Sequence, residues 1–362
     1  MSGIILLCRA GFEGDCAAEI QDKATELGIY GYCQTQPDQA YVTYHCQAEE
    51  ADHIARKLAL KELVFAREMF VLLSAIKMAG VEDRASAVLE ALLPHQESFG
   101  LAGELRVETP DTNEANQLSK FCRKFAVPLR QSLRKAELLS NKPLAKRPLL
   151  HVMFVNSAHA LTGYSYSYNQ TPYAGGILRL RMPKDGPSRS TLKLDEAFQV
   201  FVPEEERDKR IQAGMRAVDL GAAPGGWTYQ LVRRGMMVQA VDNGPMADSL
   251  METGQVQHIK EDGFKFRPKR RNINWLVCDM VEKPARVGEL MTRWLLDEFC
   301  QEAIFNLKLP MRQRYAAVKE YLQQITEQLQ TEGTKPFEIQ AKHLYHDREE
   351  ITVHLRWVPR TR

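Results

Sequence analysis

Residues 215–231 read MRAVDLGAAPGGWTYQL and give the clearest structural signal in the chain. The short apolar run at the start predicts a strand, and the segment "GGWTYQLVRRG" predicts a helix that ends at Gly235. The glycine-rich turn lies between them, at the carboxyl end of the predicted strand. Ligands of doubly wound sheets bind at that end of the strands, so the stretch predicts a site for a nucleotide-like cofactor.

The alternation of strands and helices continues beyond this stretch. Four further apolar runs predict strands, namely "MMVQAVD", "VQHIKED", "INWLVCD" and "EAIFNLKL". Residues 311–330 predict an amphipathic helix, because their apolar residues recur on one stripe. The segments "FEIQAKHLYH" and "EITVHLRW" predict two closing strands. This pattern is typical of a parallel α/β fold.

The first half of the chain has an α+β pattern. Its predicted strands are "GIILLCR", "AYVTYHC", "GELRVETPD", "LLHVMFVN" and "ALTGYSYSYN". The segment "ADHIARKLALKELVF" predicts a helix, and residues 113–139 predict another that Pro128 interrupts. We expect one or two small domains here, with the main boundary between residues 164 and 176.

Composition favours a folded protein outside the membrane. The 362 residues are 44% hydrophobic and 26% charged, which does not suit a disordered chain. We find no apolar run long enough for a membrane span and no signal peptide, and therefore expect a cytoplasmic protein. The seven cysteines include no CxxC pair, so we expect neither a disulfide framework nor a metal site.

The net charge of +2 conceals an uneven distribution. Residues 1–53 contain nine acids and two bases, whereas residues 119–148 contain nine bases and one acid. The basic segment predicts either a surface that binds a polyanion or a solvated helix face.

The turn after the first strand differs from a dinucleotide-binding fingerprint. It reads Gly221-Ala222-Ala223-Pro224-Gly225-Gly226, so the second glycine of GxGxxG is absent. Three predicted strands in succession end in an aspartate, namely Asp242, Asp262 and Asp279. Asp242 has the spacing at which a carboxylate binds ribose hydroxyls. We interpret this pattern as a nucleoside site without phosphates, which favours S-adenosylmethionine over NAD.

The segments "LGAAPGGW", "VDNGPM", "EDG" and "CDM" resemble the FtsJ-like ribose 2′-O-methyltransferases. More specifically, the chain resembles the branch of that group that methylates a cytidine in 23S rRNA. The segments that extend this resemblance along the chain are "LLCRAGFE", "GELRVETPDTNE", "KFCRKFAVPLR", "TGYSYS", "PSRSTLKL", "FNLKLPM" and "LYHDREE".

The resemblance implies three domains. Residues 1–65 would form a ferredoxin-like α+β subdomain, residues 66–168 a THUMP-like RNA-binding domain, and residues 169–362 a Rossmann-like methyltransferase domain. The implied partner is 23S rRNA, either free or in an assembling large subunit, and the implied enzyme is a monomer.

The implied chemistry needs a base, because a ribose hydroxyl is a very weak acid. A neutral lysine can act as a base, and burial or a nearby cation favours its neutral form. The family uses a Lys-Asp-Lys-Glu group, which matches Lys193, Asp279, Lys308 and Glu349 in order and context. Lys308 would be the base, and the nearby charge of Lys193 would favour the neutral form of Lys308. Glu350 is the alternative to Glu349, since alternate strand residues face opposite ways.

The same resemblance implies a cofactor pocket and RNA contacts. The pocket would comprise Ser190, Ala223, Pro224, Gly225, Gly226, Asp242, Asp262 and Asp279. Phosphate contacts would come from "KFCRKFAVPLRQSLRK" and "KFRPKRR". Tyr164, Tyr166 and Tyr168 alternate, so we expect them on one strand face, where they either stack on bases or pack in the core.

Three other functions remain open on the sequence. An NAD-dependent dehydrogenase is disfavoured by the missing glycine and by the lack of an evident catalytic His–Asp set. A base methyltransferase is disfavoured because the chain contains neither an NPPY motif nor a Pro-Cys pair, and Cys278 is expected to be a buried strand residue. A non-catalytic RNA-binding factor would keep the basic segments without the activity.

Overall fold

The computed structural model of the protein describes residues 2–358, which divide into two compact units between Ile177 and Leu178. The predicted boundaries at residues 65 and 168 stay predictions. No helix within residues 2–358 is long and apolar enough to cross a membrane.

The first unit is built on one seven-stranded sheet. Its strands are β1 (Gly3–Leu7), β2 (Tyr32–Gln34), β3 (Tyr41–His45), β4 (Glu68–Lys77), β5 (Glu104–Glu108), β6 (Leu149–Asn156) and β7 (His159–Ser165). Its α-helices are α1 (Glu13–Glu26), α2 (Ala48–Lys57), α3 (Arg84–Leu92), α4 (Gln96–Phe99), α5 (Asn113–Asn116) and α6 (Ser119–Lys135). Short 3₁₀ helices cover Leu60–Glu62, Leu93–His95 and Ala174–Gly176.

The strand order in this sheet is β2-β3-β1-β4-β7-β6-β5. The pairs are antiparallel except that β5 and β6 run parallel. Strands mixed with helices in this way confirm the predicted α+β class of the first half. Strand β1 is buried along its whole length and β4 over its first six residues, so these two strands form the centre of the core.

Helix α6 corrects one prediction about this half. Pro128 lies inside the helix and does not interrupt it. Cys122, Phe125, Leu129 and Leu133 form a buried stripe at helical spacing. The burial of that stripe offsets the single hydrogen bond that a proline removes, and Pro128 itself faces solvent.

The second unit is built on another seven-stranded sheet. Its strands are β8 (Arg216–Leu220), β9 (Met237–Val241), β10 (Val256–Ile259), β11 (Ile273–Cys278), β12 (Cys300–Lys308), β13 (Phe337–Lys342) and β14 (Glu350–Trp357). Its helices are α7 (Thr191–Phe201), α8 (Glu204–Arg210), α9 (Gly226–Arg233), α10 (Asp248–Met251), α11 (Pro284–Leu296) and α12 (Arg314–Glu332).

The strand order is β10-β9-β8-β11-β12-β14-β13, which confirms the predicted Rossmann-like α/β class of the second half. Strands β8 to β12 are parallel, and β14 pairs antiparallel with both β12 and β13. The chain reverses its direction of winding between β8 and β11. Open α/β sheets form their ligand crevice at the carboxyl ends of the strands at such a reversal.

Candidate active site

Two lysines and two carboxylates meet at the carboxyl ends of β11 and β12. Lys193 lies on α7, Asp279 directly follows β11, Lys308 ends β12, and Glu350 begins β14. Lys193 Nζ lies 2.7 Å from Glu350 Oε1 and 3.4 Å from Asp279 Oδ2. Lys308 Nζ lies 2.9 Å from Glu350 Oε2. We call these four residues the lysine–carboxylate cluster.

The register of β12 against β14 explains why Glu350 belongs to this cluster. Lys308 lies directly opposite Glu350, and Asn306 lies directly opposite Thr352. Directly opposite residues, and residues two apart on one strand, share one face of a sheet. All four side chains therefore point toward the same side, which α7 covers with Lys193.

Of the two glutamates that the sequence left open, the structure places Glu350, and not the favoured Glu349, beside the two lysines. Glu349 precedes β14, its side chain is 61% exposed, and its carboxylate lies 3.1 Å from Arg314. The neighbouring Glu350 carboxylate is buried and contacts both lysines. Adjacent residues of an extended chain face opposite ways, and the pairing with β12 selects the second one.

The electrostatics of the cluster follow from these contacts. Burial by itself would raise the pKa of Glu350, but the hydrogen bonds and charges of Lys193 and Lys308 outweigh it and lower the pKa to about 2. Burial also disfavours the charged form of Lys193, yet Asp279 and Glu350 outweigh this effect and raise the pKa of that lysine. Glu350 is thus held as an anion and Lys193 as a cation.

Sequence reasoning missed the polar residues that hold Asp279 in place. Asn306 Nδ2 donates to Asp279 Oδ1 at 2.8 Å, and the Thr352 hydroxyl donates to Asn306 Oδ1 at 2.8 Å. Asn306 stands two residues before Lys308, so strand periodicity alone would have placed it on the face of the predicted base. The segment "FNLKLP" therefore contained the signal, but the role of Asn306 follows only from its contact with Asp279, which the sequence does not show.

A second buried carboxylate lies beneath the glycine-rich turn. Asp219, inside β8, accepts a hydrogen bond from the Thr228 hydroxyl at 2.6 Å. Burial raises its pKa to about 7, although the bond from Thr228 acts in the opposite direction. This hydrogen bond ties strand β8 to the start of helix α9 and so fixes the glycine-rich turn between them.

The predicted cofactor residues Ser190 and Gly226 are brought together at this turn. The Thr191 hydroxyl donates to the Gly226 carbonyl at 3.0 Å, which joins the start of α7 to the start of α9. A Cβ on Gly226 would lie 2.0 Å from Ser190 Oγ, so a larger residue there would displace the Ser190 hydroxyl. Gly225 has a φ of 117°, a conformation that other residues rarely adopt.

Asp242 follows β9 and braces the same turn. Its Oδ2 accepts from the Ala223 N–H at 3.1 Å, and its Oδ1 accepts from the Gly244 N–H at 2.7 Å. Each carboxylate oxygen has a further lone pair, and the side chain is only partly buried. Asp242 can therefore accept hydrogen bonds from a ligand at the edge of the turn.

Asp262 is placed differently from the prediction. Strand β10 ends at Ile259, so Asp262 lies in the loop beyond it and does not end the strand. Its Oδ1 accepts from the Phe264 N–H at 2.9 Å, and the side chain is exposed. The next residue, Gly263, approaches Met280, which puts this loop at the same edge of the sheet as Asp279.

The hydrogen-bond acceptors at this edge fit S-adenosylmethionine. Asp242, Asp262 and Asp279 provide carboxylate acceptors, which suit the hydroxyl, amine and ammonium groups of a nucleoside attached to an amino acid. The glycine-rich turn permits close approach to its backbone. Cys278, the possible nucleophile of a base methyltransferase, is fully buried, and burial raises the pKa of its thiol to about 12.

The predicted RNA contacts are partly used within the protein itself. Arg130 pairs with Glu104 at 2.6 Å, and Arg134 Nε donates to the Ser140 carbonyl at 3.1 Å. On α6 the exposed cations are Lys120, Arg123, Lys124 and Lys135. In the segment 265–271 the residues Lys265, Lys269 and Arg270 are among those that face solvent.

The three tyrosines do not share one strand face, because β7 ends at Ser165. Tyr164 is buried, and its hydroxyl donates to Asp52 Oδ1 at 2.6 Å. The Tyr166 hydroxyl donates to the same oxygen. Tyr168 lies in the turn beyond the strand and is exposed, with its ring stacked 5.5 Å from the ring of Tyr166.

Three family models match the chain. Residues 1–70 match the RlmM ferredoxin-like domain, residues 83–166 the N-terminal domain of ribosomal RNA large subunit methyltransferase M, and residues 187–334 the FtsJ-like methyltransferase.

Two curated relatives, both called ribosomal RNA large subunit methyltransferase M, match at full length. The protein from Idiomarina loihiensis is 84% identical over 99% of this chain and 98% of its own. The protein from Pseudoalteromonas translucida is 55% identical over 98% of this chain and 97% of its own. The second unit of this chain thus contains an FtsJ-like methyltransferase domain, and the chain belongs to the ribosomal RNA large subunit methyltransferase M family.

Proposed function

We propose that the protein transfers a methyl group from S-adenosylmethionine to the ribose 2′-hydroxyl of a cytidine in 23S rRNA. The observation that carries this proposal is the Glu350 carboxylate, which lies 2.7 Å from the Lys193 amine and 2.9 Å from the Lys308 amine. The carboxylate holds two amines close together, and an unprotonated amine beside a fixed cation can take the proton of a weakly acidic hydroxyl. The choice of rRNA comes from the names of the relatives.

Lys308 is the general base in this proposal. Lys193 cannot readily give up its proton, because it pairs with both Asp279 and Glu350 and its pKa is raised. The side chain of Lys308 is 31% exposed, whereas that of Lys193 is 13% exposed, so Lys308 is the amine that a substrate can reach. In its unprotonated form Lys308 Nζ takes the hydroxyl proton, and the fixed cation of Lys193 stabilises the developing alkoxide.

Asp279 and Glu350 position these amines. Asp279 is oriented by Asn306 and in turn holds Lys193, while Glu350 fixes the separation of the two lysines. S-adenosylmethionine, when bound, supplies the electrophilic methyl group on its sulfonium sulfur. Ser190, the turn Ala223–Pro224–Gly225–Gly226, Asp242, Asp262 and Asp279 would hold it beside the cluster.

The first unit binds the rRNA in this proposal. The exposed cations of α6 neutralise phosphates, which gives affinity without sequence readout. The protein acts as a monomer in the cytoplasm, on free 23S rRNA or on an assembling large subunit.

The test is to map the product. The protein is incubated with labelled S-adenosylmethionine and 23S rRNA that lacks methylation, and the product is digested with nuclease and analysed by mass spectrometry. We expect one methyl group on a cytidine ribose. A methyl group on a base would refute the lysine mechanism. If another RNA is methylated and 23S rRNA is not, 23S rRNA is not the substrate.

A further inference from the structure

The two most exposed large apolar side chains among residues 2–358 both flank the lysine–carboxylate cluster. Val281 is 86% exposed and Met311 is 91% exposed. Val281 follows Asp279 by two residues, and Met311 follows Lys308 by three. Single exposed apolar residues are common on protein surfaces, but these two lie at the ends of the adjacent strands β11 and β12.

The segments that carry these residues start from fixed positions. Cys278 of β11 lies opposite Phe305 of β12, and Asn306 bonds to Asp279 across the two strands at 2.8 Å. The Leu309 N–H donates to the Glu349 carbonyl at 2.9 Å, which ties the segment before Met311 to the start of β14. Both apolar side chains thus project into solvent from the rim of the site.

We infer that Val281 and Met311 contact the base of the nucleotide whose ribose is methylated. This inference rests on the proposed function and adds the surface that positions the substrate. A ribose hydroxyl at Lys308 carries its base only a few bonds away, and every base has an apolar face that such side chains can cover. Methionine suits this role because its flexible, polarisable side chain adapts to flat surfaces.

These contacts are made to the face of the base, so they position the ribose without selecting the nucleotide. Selection would need strong hydrogen bonds to base edges, but the valine side chain has no hydrogen-bonding atom and the methionine sulfur is only a weak acceptor. Loss of either side chain should therefore lower the rate of transfer while the identity of the methylated nucleotide stays the same.

The test compares three substitutions of Met311 with a control at the other end of the sheet. Met311→Ala and Met311→Gln should each lower kcat/KM by about tenfold, because burial of a methionine side chain is worth about 1.4 kcal/mol or more. Met311→Leu should stay within about twofold of the parent, since it keeps the apolar volume. Met237→Ala, at the start of β9, removes another exposed methionine and should leave kcat/KM unchanged.

Val281 provides a second, independent comparison. Val281→Thr keeps the shape but replaces one methyl group by a hydroxyl, and it should lower kcat/KM, whereas Val281→Ile should not. S-adenosylmethionine affinity, measured by calorimetry, should be the same in all variants. If both residues touch one base, the double variant Val281→Ala/Met311→Ala should deviate from additivity.

The outcomes separate this inference from the proposed function. Ribose methylation by the parent protein, together with unchanged kcat/KM in the Met311 and Val281 variants, overturns the inference alone. If Met311→Leu and Met311→Ala lower kcat/KM equally and also lower the melting temperature, Met311 has a structural role, and the inference is likewise overturned. A methyl group on a base in the parent protein overturns the proposed function, whatever the variants do.

Discussion

Replacement of Glu350 by glutamine removes one negative charge from between two lysines and keeps the side-chain volume. The lysines lower the pKa of this carboxyl from 4.5 to about 2. One pKa unit corresponds to about 1.36 kcal/mol, so the charged form contributes roughly 3 kcal/mol to the stability of the folded state. For a unit of this size, that loss corresponds to a decrease of roughly 6–12 °C in melting temperature.

The dependence on pH gives the reasoning a sign that can be checked. The folded-state pKa of Glu350 is lowered, so its contribution is present above about pH 4.5 and is lost as the pH falls toward about 2. The difference in melting temperature between Glu350→Gln and the parent should be full at pH 7 and should shrink below about pH 4.5. Differential scanning calorimetry at a series of pH values measures this difference.

Glu349→Gln is the matched control, because it makes the same chemical change one residue away. Glu349 is exposed and pairs with Arg314 on the surface, and such pairs are worth about 0–1 kcal/mol. We expect its melting temperature to stay within about 4 °C of the parent. Equal shifts for the two variants, or a parent-like melting temperature for Glu350→Gln at pH 7, would refute the assignment of Glu350 to the cluster.

Three other variants test the remaining parts of the proposal. Lys308→Ala should lower methyl transfer to 23S rRNA by about 10²-fold or more while S-adenosylmethionine affinity stays nearly unchanged; activity close to the parent would exclude Lys308 as the base. Asp242→Ala should weaken S-adenosylmethionine binding by about tenfold in calorimetry, because it removes a carboxylate at the glycine-rich turn; unchanged affinity would place the pocket elsewhere. Reversal of charge at Lys120, Arg123 and Lys124 should weaken RNA binding and reduce its salt dependence, with a slope change of about one per lost phosphate contact; an unaltered slope in filter-binding assays would make α6 a solvated face only.

Much of the second unit could be predicted from the sequence, because its signals are local. In the turn from Gly221 to Gly226, a larger residue at Gly226 would displace the Ser190 hydroxyl, and Gly225 adopts a positive φ. Asp242 and Asp279 each directly follow a strand whose apolar run is easily recognised. These features depend on neighbours within a few residues, and periodicity and turn chemistry report such neighbours.

The features that were missed depend on partners far along the chain. The choice between Glu349 and Glu350 is made by the pairing of β14 with β12, which joins residues more than forty positions apart. Pro128 stays inside α6 because the helix buries a stripe against the first unit's sheet, a gain that the local propensity of proline does not include. The sequence predicted a phosphate contact for the segment that contains Arg130, but the structure pairs Arg130 with Glu104.

The position of Glu350 also sets the order in which a growing chain acquires its properties. The first unit and its basic helix α6 are complete well before the ribosome reaches β14, and domains fold as they are synthesised. Lys193, Asp279 and Lys308 have by then been synthesised, but the two amines have no shared carboxylate until residue 350 emerges and pairs with β12. On the proposed function, a nascent chain can hold RNA before it can methylate it, so the chemistry starts only after the methyltransferase sheet has been assembled.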